Sequence, residues 1–281
     1  MSSFGYDELK NSDLVLGKNT NYHNKYHLDL LHSIPRSLGR DNLNNHDDLS
    51  RGVDVWNCYE FSWLNTNGKP CIALIQITVP ACSSYIVESK SLKLYLNSFS
   101  YLKFEDKNNL LEVLQQDLAV KFGSEAVDVK LFSAYEKDYH STQVVDANVI
   151  DFLAIKVKNY SYDPSLLSLD ASGKKTKEVL CSHLLKTNCL ITNQPDWATV
   201  YISYQGSKIN HESLLKYIVS FRDHNEFHEQ CVERIFSDVL NYCGCDKLSV
   251  YARYTRRGGI DINPFRSNFE DFYGNFRVVR Q

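Results

Sequence analysis

The most reactive combination of residues in this sequence is a cysteine and an aspartate in one polar loop. Cys189 lies within Thr187-Asn-Cys-Leu-Ile-Thr-Asn-Gln-Pro, and Asp196 follows seven residues later, beside Trp197. A polar setting favours the thiolate, the nucleophilic form of cysteine. A large aromatic neighbour removes water from a carboxyl group and so raises its pKa towards that of a general acid. The segment suits a nucleophile with its proton donor, but a packed loop cysteine and a turn-capping aspartate would have the same sequence.

Two glutamates have the residue type needed to bind a purine-like base. Glu88 lies in Ile-Val-Glu-Ser-Lys, between a predicted strand and a predicted helix, and Glu229 follows His228 near the start of another helix. A carboxylate accepts two hydrogen bonds in one plane, which matches adjacent N–H donors on a guanine edge. An isolated glutamate on a helix is also a common solvated surface residue, so both interpretations stay open.

Motifs for metal or dinucleotide binding are weak. His224 and His228 stand four residues apart, but the glutamate between them is not in the zincin position. Cys243-Gly-Cys245 has no second pair at zinc-finger spacing. No Gly-x-Gly-x-x-Gly or P-loop follows a predicted strand. Loop cations such as Lys90 and the Arg256-Arg257-Gly258-Gly259 turn are candidate phosphate contacts, although this turn is also typical of a solvated hairpin.

Composition excludes several classes of protein. The chain has 281 residues, 43% of them hydrophobic and 23% charged, and a formal net charge of −3. These values argue against disorder and against nucleic-acid binding by bulk charge. Eight cysteines are too few for a disulfide scaffold. The N-terminus has no apolar signal region, and the longest apolar stretch, near Cys71 to Ala81, is shorter than the ~20 residues of a membrane span. We expect a cytoplasmic protein with reduced thiols.

Hydrophobic periodicity predicts an alternation of strands and helices. The predicted strands are Val53–Trp63, Cys71–Val79, Ala126–Phe132, Ala198–Tyr204 and Leu248–Tyr254. The predicted helices are 107–122, Glu212–Phe221 and Glu226–Cys243. Asp106 and Gly123 have the residue types of an N-cap and a C-terminal stop for the first of these helices. Asn67-Gly68 predicts a hairpin turn.

The order of elements is repeated along the chain. Ser91–Phe99 and Ser213–Phe221 share five of nine residues, and strand–strand–helix–helix–strand patterns surround both. We therefore predict two copies of one module. The polar segment from about 160 to 180 is the expected linker. The predicted boundaries are an N-terminal arm with little core of its own at 1–50, a first module at 51–160 and a second module at 161–281.

One motif carries a resemblance to a known family. Glu88-Ser-Lys-Ser-Leu-Lys-Leu-Tyr95 resembles the signature of the NADPH-dependent 7-cyano-7-deazaguanine reductases, the QueF family. The chain is similar to the long, two-module form of that family over nearly its whole length. The other matching segments are Leu16–Thr20, Pro35–Leu38, Cys189–Trp197 and Phe227–Glu229. Leu38-Gly-Arg40 departs from the family pattern, which has Asn before the Arg, but it lies in the arm and affects no catalytic residue.

The resemblance implies an α+β fold of two tandem tunnelling-fold (T-fold) modules, whose antiparallel sheets assemble into a barrel with helices outside. It implies four-electron reduction of the nitrile of 7-cyano-7-deazaguanine to an amine, with two NADPH, in queuosine biosynthesis. It also implies a cytoplasmic homodimer that acts on a small free base, with no nucleic-acid partner and no membrane partner.

The resemblance also implies roles for individual residues. Cys189 would add to the nitrile carbon and form a thioimide, and Asp196 would protonate the nitrogen. His228 would orient or protonate the nitrile side, and Glu88 and Glu229 would bind the base. Further implied substrate contacts are Val87 and Ser89, and the implied NADPH contacts are Ser89, Lys90, Arg257 and Gly258, with no metal.

Two other functions remain open from the sequence. A purine-binding or RNA-associated member of the fold would leave Cys189 and Asp196 without a catalytic role. A zinc hydrolase acting on GTP would need a metal centre. The other seven cysteines are expected to be packing or surface thiols.

Overall fold

The structure, a computed structural model, describes residues 25–44, 46–135 and 142–281. The Leu16–Thr20 motif lies outside the described residues. The strands are β1 (Ser33–Pro35), β2 (Gly52–Leu64), β3 (Pro70–Pro80), β4 (Tyr85–Val87), β5 (Asp128–Phe132), β6 (Asn148–Val149), β7 (Lys175–Asn188), β8 (Pro195–Ser207), β9 (Lys247–Tyr254) and β10 (Ile260–Ser267). The α-helices are α1 (Ser37–Arg40), α2 (His46–Leu49), α3 (Ser89–Asn97), α4 (Lys107–Phe122), α5 (His211–Ser220) and α6 (His228–Cys243).

The chain forms two compact units, each of mixed α and β structure. Unit 1 comprises the described residues of 1–41, 55–139 and 256–260, and unit 2 those of 42–54, 140–255 and 261–281. Each unit is discontinuous in sequence, whereas the predicted arm and modules are continuous, and their boundaries stay predictions. None of the described helices is long and apolar enough to cross a bilayer.

Unit 1 is built on paired strands, of which β1 with β4 and β3 with β5 are antiparallel. β1 pairs with β4, and β3 lies between β2 and β5. Alternate residues of β3 are buried, from Ala73 to Val79, because one face of the strand packs on the core. The predicted strands at 53–63 and 71–79 are confirmed. The described part of the predicted arm also carries buried apolar residues such as Leu31 and Ile34, so it contributes more core than expected.

Helix α4 has the ends that its sequence predicts. The Asp106 carboxylate accepts a hydrogen bond from the Asn108 backbone N–H at 3.0 Å. Gly123 ends the helix at φ 65°, with its N–H directed to the carbonyls of the last turn. Leu110, Leu114 and other residues at helical spacing are fully buried. Capping residues and hydrophobic periodicity, both local in sequence, therefore determine where α4 begins and ends.

Unit 2 contains a sheet in the order β10-β9-β8-β7-β6, antiparallel except where β6 meets β7. Helices α5 and α6 contribute Leu214, Ile218 and Ile235 to one core with Val200 and Val250. The two helices and the strands at 198–204 and 248–254 are confirmed.

Two parts of the sheet in unit 2 differ from the sequence prediction. The expected linker at 160–180 is wrong from Lys175 onwards, because β7 begins there and pairs with β8 from Lys175↔Ser207. Its polar first residues do not resemble a core strand. Strand β10 was not predicted, because it is buried along its whole length and carries Asp261, Asn263 and Arg266 in its interior.

The sequence repeat extends to tertiary contacts within each unit. In both units one aspartate of the longer helix accepts hydrogen bonds from two tyrosine hydroxyls. The residues are Tyr26, Tyr95 and Asp117 in unit 1 (2.8 and 2.6 Å), and Tyr162, Tyr217 and Asp238 in unit 2 (2.9 and 2.5 Å). Tyr95 and Tyr217 occupy the same place in the repeated nonapeptide, so the two units share an internal plan.

The C-terminal glycines of α4 and α6 provide a matched test of this packing. Gly123 and Gly244 have φ of 65° and 59°. A Cβ at Gly123 would lie 2.8 Å from Cδ2 of Tyr85, whereas a Cβ at Gly244 would meet nothing within 4 Å. We expect Gly244→Ala to lower the free energy of unfolding by about 1 kcal/mol, because of the positive φ. Gly123→Ala should lower it by about 3 kcal/mol, because the clash adds to the strain. Urea denaturation measures both losses, and equal losses would contradict the close approach of Tyr85.

Candidate active site

The β7–β8 hairpin brings Cys189 and Asp196 to the same end of unit 2. Thr187 of β7 is directly opposite Asp196 of β8, and Cys189 is the first residue of the turn between the strands. The turn is closed by the Cys189 N–H, which donates to the Gln194 carbonyl at 2.8 Å, and by the Asn193 N–H, which donates to the Cys189 carbonyl at 3.0 Å. Cys189 and Asp196 are both buried, with 5% and 6% exposure. A thiol and a carboxyl group thus lie at the same end of one hairpin, largely away from bulk water.

His228 joins this pair as the first residue of α6. Its Nε2 lies 3.3 Å from Oδ2 of Asp196. Its ring stacks on the Tyr254 ring with a centroid separation of 3.7 Å and an interplanar angle of 3°. Tyr254 is itself fixed opposite Ala198 in the β8–β9 register. The imidazole is therefore oriented by one aromatic ring and one carboxyl group, an arrangement that can move a proton to or from Asp196.

Glu88 and Glu229 are buried, so the alternative that they are solvated surface residues is wrong. Glu229 lies in the first turn of α6 with 3% exposure, where the helix dipole stabilises its negative charge. Glu88 is the N-cap residue of α3 in unit 1 and has 0% exposure. Its backbone is held by the His32 carbonyl, which accepts from the Glu88 N–H at 3.0 Å, and by the Ser91 hydroxyl, which donates to the Glu88 carbonyl at 2.7 Å.

The candidate cofactor residues lie in unit 1. Ser89 and Lys90 are the first residues of α3. Arg257 and Ile260 close a tight turn in which the Arg257 N–H donates to the Ile260 carbonyl at 2.9 Å. Gly258 in this turn has φ 60°, and a Cβ there would lie 3.4 Å from Nζ of Lys93. Lys93 is not among the predicted site residues, although its spacing of three residues from Lys90 indicates one helix face.

The site residues predicted from sequence thus form two groups, one in each unit. The unit 2 group is Cys189, Asp196, His228 and Glu229, and the unit 1 group is Val87, Glu88, Ser89, Lys90, Arg257 and Gly258.

The two histidines considered as a metal pair have separate carboxylate partners. His224 Nε2 lies 2.9 Å from Oε2 of Glu226, while His228 is next to Asp196. Across residues 25–44, 46–135 and 142–281, no group of three or more His, Cys, Asp or Glu side chains is placed to hold a metal ion.

Comparison with known proteins identifies the family. Residues 22–131 match the family described as nitrile reductase, 7-cyano-7-deazaguanine-reductase N-terminal, and residues 195–271 match the QueF-like protein family. A protein of Colwellia psychrerythraea named NADPH-dependent 7-cyano-7-deazaguanine reductase is 50% identical over 280 residues, which cover 96% of each chain. The chain belongs to the QueF family. The resemblance inferred from the Glu88–Tyr95 motif is confirmed.

Several other thiols of this QueF-family chain have environments that disfavour the thiolate. Burial raises the pKa of Cys181 and of Cys245 to about 12, and that of Cys243 to about 11. Burial also raises the pKa of Cys231, which is fully buried. These thiols stay protonated near neutral pH, which agrees with packing roles.

A buried ion pair that the sequence analysis missed supports the start of α6. The Glu226 side chain is fully buried and accepts hydrogen bonds from Arg234 Nη2 at 2.6 Å and from Arg234 Nε at 2.9 Å. Burial alone would raise the pKa of Glu226, but the Arg234 guanidinium and the His224 ring outweigh it and lower the pKa to about 2. The spacing of eight residues between Glu226 and Arg234 gave no local signal of this pair.

The Glu226 pair predicts an acid-dependent loss of stability. A carboxyl group with a lowered folded-state pKa stabilises the protein fully above its ordinary value of 4.5 and progressively less as the pH falls towards 2. Glu226→Gln should lower the free energy of unfolding at pH 7 by about 3 kcal/mol, because Arg234 would remain buried without its counter-ion. The variant should also lose part of the pH dependence between pH 4.5 and 2.

Urea denaturation across that pH range measures both effects. Asp246→Asn is the matched control, since Asp246 pairs with Lys175 at the surface, where both side chains are more than half exposed. It should change the free energy of unfolding by less than about 1 kcal/mol. Equal effects of the two substitutions would contradict the stabilising role of the buried pair.

Proposed function

We propose that this chain reduces the nitrile of 7-cyano-7-deazaguanine to the primary amine of 7-aminomethyl-7-deazaguanine, with NADPH as the reductant. Membership of the family and the name of the 50% identical relative support the reaction and the cofactor. The observation that carries the proposal is the buried group of Cys189, Asp196 and His228 at one end of the β7–β8 hairpin. A thiol and an acid close together are what addition to a nitrile requires.

The first chemical step is addition of the Cys189 thiolate to the nitrile carbon. A C–S bond forms, one π bond of the nitrile breaks, and the nitrogen takes a proton from Asp196, which gives a thioimide. His228, at 3.3 Å from Asp196, would orient the acid and return its proton. A protonated thioimide accepts hydride more readily than a nitrile does. The cysteine leaves as the thiolate once the carbon reaches the imine level, so it is regenerated in each turnover.

The two buried glutamates would bind the base. Glu88 and Glu229 would accept hydrogen bonds from the N–H groups of the deazaguanine, with Val87 and Ser89 flanking the first of them. A hydrogen bond to a charged acceptor contributes about 1.5–3 kcal/mol. Binding of a neutral base would also offset the cost of keeping buried carboxylates away from water. Burial of the site would protect a reactive imine from hydrolysis.

The candidate cofactor residues fit a dinucleotide with phosphate groups. NADPH, when bound, supplies the hydride equivalents of the four-electron reduction. Ser89 and Lys90 lie at the N-terminus of α3, where backbone N–H groups and the helix dipole favour anions. The Arg257-Gly258 turn adds a cation and a residue without a side chain, and Lys93, whose Nζ pairs with Glu60 at 3.1 Å, lies next to it. These residues would bind and orient the phosphates.

The resemblance also implies an assembly and a cellular setting, which we include in the proposal. The units would be T-fold modules whose sheets assemble into a barrel, in a cytoplasmic homodimer of the queuosine pathway that handles the free base and needs no nucleic acid. The tyrosine–aspartate clusters repeated in the two units support a tandem module. Sedimentation velocity tests the dimer.

Substitutions in the hairpin test the covalent mechanism. Cys189→Ala should abolish both the covalent adduct with the nitrile base and NADPH oxidation, while the base still binds, because the glutamates remain. Asp196→Asn removes the acid and keeps its shape, so turnover should fall about 100- to 10,000-fold. Intact-protein mass spectrometry and NADPH absorbance measure these changes. Cys181→Ala, in the β7 strand that precedes the Cys189 turn, should leave the adduct unchanged. An active Cys189→Ala variant would overturn the covalent mechanism.

Charge removal in unit 1 tests the cofactor site. Lys90→Ala and Arg257→Ala should each raise the KM for NADPH about tenfold, because each removes a charge-assisted contact to phosphate. The KM for the base should stay unchanged. Lys130→Ala is the control, since Lys130 is an exposed cation of β5 that pairs with Asp128. Steady-state kinetics with each substrate varied in turn measures both KM values. An unchanged KM for NADPH in the two variants would contradict the assignment of these residues to the cofactor site.

A further inference from the structure

The turn that carries Cys189 has a counterpart in unit 1 without a candidate catalytic residue. In unit 1 the Asn65 N–H donates to the Lys69 carbonyl at 2.9 Å and so closes the turn. The Asn65 carbonyl accepts from the Gly68 N–H at 2.9 Å. In unit 2 the Cys189 N–H donates to the Gln194 carbonyl at 2.8 Å and so closes the turn. The Cys189 carbonyl accepts from the Asn193 N–H at 3.0 Å. Gly68 and Asn193 both have positive φ, at 80° and 55°. Cys189 thus occupies the place of Asn65 in a related turn, which is one residue longer in unit 2 because residue 189 pairs with residue 194 whereas residue 65 pairs with residue 69.

A short segment is hydrogen-bonded to the strand end before this turn in both units. In each unit the last residue of the strand forms two backbone hydrogen bonds with the segment that follows the first of the two main helices, which is α3 in unit 1 and α5 in unit 2. They are Leu64 N–H to Leu102 O (2.8 Å) and Phe104 N–H to Leu64 O (2.9 Å) in unit 1, and Asn188 N–H to His224 O (2.8 Å) and Glu226 N–H to Asn188 O (3.1 Å) in unit 2. The fold therefore forms this contact with backbone groups, whatever the side chains are.

The middle residue of the segment differs between the units. In unit 1 it is the exposed Lys103, whose Cε lies 4.0 Å from where a Cβ on Gly68 would be. In unit 2 it is Asn225, whose side-chain Nδ2 donates to the Cys189 carbonyl at 3.2 Å and to Oδ1 of Asn193 at 2.9 Å. The amide thus connects both ends of the cysteine turn, which the lysine of unit 1 does not do for its own turn.

The residues on either side of Asn225 are also more polar than their counterparts in unit 1. In unit 1 the flanking positions are the apolar Leu102 and Phe104, whereas in unit 2 they are His224 and Glu226, joined to each other at 2.9 Å and to Arg234. A bidentate Arg–carboxylate pair fixes the relative geometry of its two partners, which an apolar contact does not. Asn225 is therefore presented to the cysteine turn from a rigid support.

We infer that Asn225 is a positioning residue for the nucleophile. Its amide fixes the Cys189 carbonyl and the left-handed Asn193, and so holds the Sγ in the orientation that attack on the nitrile carbon requires. Unit 1 is the internal control, because it forms the same backbone contact beside a turn that is one residue shorter, with a lysine in the place of Asn225. Of the two segments, only the one beside the candidate nucleophile carries an amide at its middle position. This inference rests on the proposed function of Cys189.

Two substitutions separate positioning from folding. Asn225→Asp keeps the shape but removes the donor, and Asn225→Lys introduces the residue that the equivalent segment of unit 1 carries. Each should slow formation of the covalent adduct about 100-fold, as expected for a misplaced reacting atom. Base affinity and the thermal unfolding midpoint should stay close to wild type. Lys103→Ala, the matched change in unit 1, should leave the adduct rate unchanged.

The readouts are the single-turnover rate of adduct formation with 7-cyano-7-deazaguanine, followed by mass spectrometry without NADPH, and the rate of Cys189 alkylation by iodoacetamide. A loosened turn exposes the thiol, so alkylation should speed up while adduct formation slows down. An adduct rate within about twofold of wild type in both variants would overturn the inference, as would loss of the wild-type unfolding midpoint in both. If the wild-type protein itself forms no adduct, the proposed function fails instead.

Discussion

Hydrogen bonding between β7 and β8 decides where the candidate chemistry of this chain lies. The register sets Thr187 opposite Asp196, so the acid faces the end of the hairpin at which Cys189 begins the turn. A shift of one residue would turn every side chain of β8 to the other face of the sheet. The same strand pairs Ala198 with Tyr254, the residue that stacks on His228. One ladder therefore aligns the thiol, the acid and the support of the imidazole.

Buried charges hold helix α6 in the place that this alignment needs. Glu226 fixes its start through Arg234, and Glu233 fixes its middle through Arg266 at 2.7 Å. Arg266 also lies 2.8 Å from Asp54, so its charge is balanced by two carboxylates. Burial of unpaired charge is costly, which restricts the helix to positions where these pairs are made. His228 and Glu229, at the N-terminus of α6, take their positions from this restriction.

Similar local structures in the two units carry different candidate functional residues. At the N-cap of α3, Glu88 accepts from the Ser91 hydroxyl at 2.7 Å, and at the N-cap of α5, Asn210 accepts from Ser213 at 2.8 Å. The backbone geometry is repeated, but only the first unit has a carboxylate there. In the same way, the turn with Cys189 repeats one without a thiol. The same backbone hydrogen bonds can therefore hold different side chains in the two units.

The sequence by itself determined the parts whose signals lie in consecutive residues. Helix α4 follows from apolar spacing between Asp106 and Gly123, and the family follows from the Glu88–Tyr95 motif. The same local rules failed for β10, where no alternation marks a strand buried on both faces. They cannot pair Glu226 with Arg234, nor stack His228 on a ring from β9. Neither contact has the spacing of neighbours on one helix face, and His228 needs a partner from a strand 26 residues later, so only the tertiary structure decides them.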